Sequence, residues 1–153
     1  MDAPIKREEL KSIDAVLCTH AHSDHLDPEL FPYLLNNNHD IRIILPRSSV
    51  NIALKRGAVP ENIVAVEEGE THWFSQAIKL NVIPSAHEVI EKNEKQENLY
   101  LGYILDFNGI TIYHSGDNCP YEGLLENLNK HNIDLSLLPV NGRGKAEGIK
   151  GNF

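Results

Sequence analysis

Four side chains able to bind a metal fall within six residues of this chain, in the run His20-Ala21-His22-Ser23-Asp24-His25. The run directly follows Ala15-Val16-Leu17-Cys18, a short apolar segment that predicts a buried strand over Asp14–Thr19. In extended backbone, alternate side chains point to one side, so His20 and His22 share a face. Asp24 and His25 fall at the turn that must follow, where a second direction opens. Imidazole suits zinc and iron, and a carboxylate widens the choice toward manganese. A lone histidine is most often a solvated surface group. Three of them with an aspartate, directly behind a core strand, point to a metal centre.

The segments after the cluster alternate between helix and strand patterns. Asp27-Pro28-Glu29-Leu30 reads as a helix start, with proline at the first helical position, and the Asn36-Asn37-Asn38 stretch stops that helix. Ile41–Leu45 predicts a second buried strand. Ser48 or Ser49 caps a helix that ends at Gly57. Ile63–Val66 and Ile78–Ile83 read as strands. Tyr100–Phe107 and Ile110–Tyr113 flank Asn108-Gly109, the strongest short hairpin signal. A helix over residues 121–130 and an apolar strand at Leu135–Leu138 complete the pattern. Glu88 to Glu97 lacks apolar periodicity and reads as an exposed loop. Alternating elements followed by a hairpin predict an α/β fold (α+β by some schemes) with a mixed sheet.

Composition limits the function classes. The chain has 153 residues, 41% of them hydrophobic and 24% charged, as in a single globular domain. The formal net charge of −8 argues against a nucleic-acid partner, which needs a basic footprint. Cys18 and Cys119 do not make a disulfide framework. No apolar run is long enough to cross a membrane, and no secretory signal is visible, so a cytoplasmic protein is expected. Cys18 reads as a small core residue, Cys119 as a loop thiol, and Trp73 and Phe74 as strand packing. His39, His72 and His131 lie beside polar residues and read as solvated.

Other candidate ligands sit at later strand ends. His87 follows Ile83-Pro84-Ser85-Ala86, and Asp117 follows His114-Ser115-Gly116, where glycine lets the backbone turn. Alone, His87 could be a surface histidine and Asp117 a helix cap. With the cluster they are candidate metal ligands.

Thr19-His20-Ala21-His22-Ser23-Asp24-His25 resembles the HxHxDH signature of the metallo-β-lactamase-fold hydrolases. His87 matches that family's next histidine, and Ser115-Gly116-Asp117 matches its bridging aspartate. Tyr113-His114-Ser115-Gly116-Asp117, Leu138-Pro139-Val140-Asn141-Gly142-Arg143 and Gly151-Asn152 resemble strings in the branch around L-ascorbate-6-phosphate lactonase. The resemblance covers nearly the whole chain. It implies part of a four-layer αββα sandwich with two divalent ions, zinc or manganese with iron as a third choice. By that pattern His20, His22 and His87 hold one ion, Asp24 and His25 hold the other, and Asp117 bridges them. The family also has a β layer before the cluster and a further histidine beyond residue 152. Residues 1–153 are therefore expected to form a single, incomplete domain.

A dinuclear site of this kind activates a bridging hydroxide. Asp24 would both ligate and orient it, as the catalytic residue. His114 would support the site from behind the ligands. Asn141 and Arg143, after the last strand, would bind an anionic group of the substrate. The expected function is hydrolysis of a small anionic lactone, ester or phosphodiester. One alternative is a non-catalytic metal-binding fragment. Another is one half of a split enzyme completed by a second chain, or a homo-oligomer. A nuclease of the same superfamily is the weakest reading, given the charge.

Overall fold

The computed structural model describes residues 5–140. It divides into two compact units, one through Val66 and the other from Glu67.

The first unit is a parallel α/β arrangement. Strands β1 (Ala15–Leu17), β2 (Arg42–Pro46) and β3 (Ile63–Val66) form a sheet in that order. Both pairings are parallel, Val16 opposite Ile43 and Ile44 opposite Val64. Parallel neighbours require crossovers, which are supplied by helices α1 (Leu30–Asn37) and α2 (Val50–Lys55). The central strand β2 is buried from Ile43 to Pro46, matching its unbroken apolar run. Ile43 and Leu45 join Cys18, Leu26, Phe31, Ala53 and Ala58 in the unit's core.

Local hydrogen bonding moves the helix starts. Asp27 does not cap α1; its Oδ1 accepts the Glu29 N–H at 2.8 Å, and the helix begins at Leu30. Aspartate closing its own turn two residues on competes with helix capping. Arg47–Ser49 form a 3-10 turn, and α2 follows with Ser49 at its N-cap but no side-chain cap bond. Gly57 ends that segment with φ +96°, as expected of a residue beyond a helix C-terminus.

The second unit holds a five-stranded mixed sheet. Its strands are β4 (Thr71–Ser75), β5 (Ile78–Pro84), β6 (Leu101–Phe107), β7 (Ile110–His114) and β8 (Leu135–Leu137), in that order. The first three pairings are antiparallel and β7 with β8 is parallel. The β6–β7 hairpin turns on Asn108 (φ 53°) and Gly109 (φ 85°), the two left-handed residues a tight hairpin needs. Helix α3 is Leu124–Leu128, shorter than the expected 121–130, because Gly123 is left-handed at φ 92° and stops helix from continuing upstream. Ile83, Ile104 and Tyr113 form a buried cluster with Leu124, Leu128 and Ile133 packed on it.

Several surface expectations need correction. Trp73 lies in β4 as strand packing predicts, but it is 64% exposed, and its ring is 5.4 Å from the ammonium of its cross-strand partner Lys79. His72 is half-buried, its Nε2 3.0 Å from Glu70 Oε2. His131 is half-buried too, and burial, then Lys79 and Lys130, hold its pKa down. The loop from Glu88 is mostly exposed, but it closes on buried Asn98, whose N–H and side-chain amide donate to Glu67. β8 is exposed at every residue despite its apolar sequence. Among the described residues, no helix is long and apolar enough to cross a membrane.

Cys18 is 3% exposed, and burial pushes its thiol pKa from 9.0 up to about 12. The thiolate is the reactive form. At pH 8 a shift of that size cuts the thiolate fraction by about a thousandfold. Disulfide-exchange labelling of the native chain should therefore modify half-buried Cys119 first, with Cys18 reacting only after denaturant is added.

Candidate metal centre

In the first unit the histidines gather just beyond β1. The Cys18 N–H donates to the Ile44 carbonyl at 2.8 Å, so sheet pairing extends one residue past the strand and then stops. His20 is buried, at 1% exposure, and His22 is exposed. The His20 ring lies 4.5 Å from that of His22 and 4.1 Å from that of His25, centroid to centroid. His20 Nε2 and His22 Nδ1 are 2.9 Å apart. The Thr19 hydroxyl sits between His20 Nδ1 at 3.0 Å and His25 Nδ1 at 3.3 Å. It has one proton, so it donates to one ring and can accept only from the other. Thr19 thus sets the rotation of two imidazoles at once.

The turn that follows is tight. The N–H groups of His25 and Leu26 both donate to the His22 carbonyl, at 3.2 and 2.9 Å. Asp24 is exposed, and its Oδ2 lies 3.6 Å from His25 Nε2. His20 with His22, and Asp24 with His25, each bring ligand atoms within 4.8 Å of one another.

In the second unit His87 lies just past β5 and Asp117 just past β7, on the ends of two strands that flank β6. His87 Nε2 and Asp117 Oδ2 are 3.8 Å apart, both half-buried. The His87 ring lies 5.4 Å from that of Tyr100. Burial, with the negative charges of Glu91 and Asp117 behind it, raises the Tyr100 phenol pKa. Gly116 has φ 63°, the left-handed turn expected before Asp117. His114 Nδ1 accepts the Gly116 N–H at 3.0 Å. That bond leaves any ring proton of a neutral His114 on Nε2 and ties the imidazole to the turn carrying Asp117. Asn141 and Arg143 lie outside the described residues.

These donor sets suit a divalent cation. Two ligand atoms each about 2.0–2.1 Å from one tetrahedral zinc sit ~3.3 Å apart. The pairs His20–His22, Asp24–His25 and His87–Asp117, at 2.9, 3.6 and 3.8 Å, bracket that spacing. All are nitrogen and carboxylate donors, which zinc, manganese and iron accept.

One further residue has no motif to mark it. Arg56, at the end of α2, donates from its guanidinium to the Ala21 and Leu26 carbonyls at 2.8 Å each and reaches the His22 carbonyl at 3.5 Å. It spans the turn that displays the cluster. Nothing around Arg56 in the sequence signals this, because its partners lie 30 to 35 residues away. Replacing it by methionine keeps the stem packed but leaves two carbonyls without their charged donor, which should cost ~1–3 kcal/mol in urea unfolding. Zinc affinity should fall with it, read by competition with a coloured chelator.

A family model described as beta-lactamase superfamily domain matches residues 1–151. The chain is 28% identical over 142 residues to a probable L-ascorbate-6-phosphate lactonase, UlaG, of Escherichia coli, covering 84% of this chain and 40% of that one. It is 27% identical over 160 residues to a UPF0173 metal-dependent hydrolase of Archaeoglobus fulgidus, covering 98% of this chain and 63% of that one. The chain thus spans less than two thirds of the length of either relative. Its fold is that of the metallo-β-lactamase fold protein YhfI from Bacillus subtilis, at a TM-score of 0.65 and 15% identity over 97% of this chain and 57% of that one. With the match running almost end to end, the chain belongs to the beta-lactamase superfamily.

Proposed function

We infer that this chain carries the metal-holding part of a metal-dependent hydrolase acting on a small anionic lactone, ester or phosphodiester. The observation that carries this reading is the density of ligands at one strand end: His20, His22, Asp24 and His25, with imidazole nitrogens as close as 2.9 Å. The names of the relatives, a lactonase and a metal-dependent hydrolase, agree with it. In this reading His20, His22 and His87 hold one ion, Asp24 and His25 a second, and Asp117 reaches both.

Bound divalent ions would supply Lewis acidity and bring the pKa of a water down toward neutrality. The remaining tasks fall to the chain. Asp24 orients the attacking water and takes up its proton; its exposed carboxylate is the one in the cluster free to face a substrate. Thr19 holds His20 and His25 in fixed rotations. His114 steadies the turn that presents Asp117. Arg143, with Asn141, grips the substrate's anionic group, a task suited to a guanidinium fork. The net charge of −8 fits a small substrate better than a nucleic acid.

The alternative is a metal-binding portion that turns over only with a complementing chain. Metal analysis and a panel of generic lactone, ester and phosphodiester substrates separate the two. The hydrolase reading expects close to two equivalents of zinc or manganese, and turnover that Asp24→Ala lowers by roughly 10²–10⁴-fold. Bound metal without turnover on any substrate supports the second reading. Less than about a tenth of an equivalent of metal in carefully loaded protein sinks both.

A further inference from the structure

His87 and Asp117 stand on different strand ends, and each end is tied to its own sheet neighbour. The Ser85 N–H donates to the Tyr100 carbonyl at 3.1 Å, and the Ser115 N–H to the Leu137 carbonyl at 3.2 Å. Neither bond aligns one end with the other. A separate ladder of hydrogen bonds does so. The Ser85 hydroxyl donates to the Ser115 carbonyl at 2.9 Å and shares its proton with Asn118 Oδ1 at 3.2 Å. The Ala86 N–H donates to the same Oδ1 at 2.8 Å. The Cys119 N–H donates to the Ala86 carbonyl at 2.6 Å, and the Cys119 thiol to the His87 carbonyl at 3.1 Å.

Asn118 is the hub of this ladder. It is 2% exposed, and Ser85, Ala86 and Ser115 around it are equally buried. Its oxygen meets two donors from the segment that leads into His87, while its backbone follows Asp117 directly. A shorter side chain would leave the buried Ala86 N–H without an acceptor, and buried backbone groups are rarely left so. With its oxygen engaged by these donors, the amide serves position rather than ligation.

We propose that Asn118 is a positioning residue that holds His87 and Asp117 in register, and so sets how tightly this pair takes a divalent cation. The second half rests on the reading of that pair as metal ligands; the first does not.

The test uses the whole chain and zinc ion as the probe. Asn118→Ala removes the acceptor, Asn118→Asp keeps an oxygen in the same place, and Ser85→Ala removes one rung with little risk to folding. Two readouts are needed: zinc affinity by chelator competition, and amide hydrogen exchange at Ala86 and Cys119 in the metal-free chain. Asn118→Ala is expected to weaken zinc binding at least roughly tenfold and to speed exchange at both amides by a similar factor. Exchange in β6 should not move, which a general loss of stability would not allow. Asn118→Asp restores the acceptor but buries a charge, so it should recover only part of both effects, and Ser85→Ala should show each in milder form. If Asn118→Ala does not fold, Ser85→Ala carries the test with the same readouts. A folded Asn118→Ala chain with zinc affinity within about twofold of the parent overturns the effect on affinity. Unchanged exchange at Ala86 and Cys119 overturns the register role. A parent chain that takes up no zinc, yet shows the exchange response, removes the metal reading and leaves the register role supported.

Discussion

A turn that displays four ligand-type side chains leaves its own carbonyl groups outside any sheet ladder, and the Arg56 guanidinium supplies donors to two of them at 2.8 Å. The rest of the histidine cluster depends on that bond set. Parallel pairing fixes β1 against β2 as far as Cys18, and the chain must then leave the sheet. Without a partner, the Ala21 and Leu26 carbonyls would turn toward water and take the histidines with them. The Arg56 Nη1 amino group has two protons and so can donate to both carbonyls, which lie five residues apart in sequence. Thr19 then works at finer scale, with one hydroxyl between two imidazole nitrogens.

The second unit meets the same requirement with a neutral group. Its two ligand-bearing ends are more buried than the histidine turn, and a buried charge there would need a partner of its own. An asparagine oxygen offers an acceptor without a net charge, and it reaches two donors at 2.8 and 3.2 Å. The left-handed Gly116, tied through its N–H to His114, turns the chain so that Asp117 and Asn118 can serve different purposes on consecutive residues.

What was legible in the sequence was local. The histidine run, the Asn108-Gly109 hairpin and the left-handed Gly116 each announce themselves within a few residues, because the chemistry or the backbone angle needs those residue types in that order. The alternation that predicted β2 and its crossover helices reflects a strand buried on both faces. The failures share a cause as well. Asp27 and Pro28 look like a helix start, but the aspartate closes a turn instead, a competition decided by tertiary packing. Leu135 and Leu137 look like core, yet they stand 49% and 47% exposed on the strand at the sheet's edge. Arg56 and Asn118 were invisible because their partners lie 30 or more residues away, at distances that only the fold sets.

The ligands are short-range information, while the residues that orient them are long-range information. A chain could keep the whole run from His20 to His25 and lose the geometry by changing Arg56 alone. Orientation fixed in advance by buried hydrogen bonds means that an incoming ion need not order the loops it joins, so less of its binding free energy is offset by lost motion. The ligand pairs at 2.9, 3.6 and 3.8 Å are already near the spacing one ion demands. Adjustments of a few tenths of an ångström lie within side-chain rotation and leave the backbone ladder intact. On the proposed reading, affinity for metal would depend on Arg56, Thr19 and Asn118 as well as on the imidazoles and carboxylates themselves.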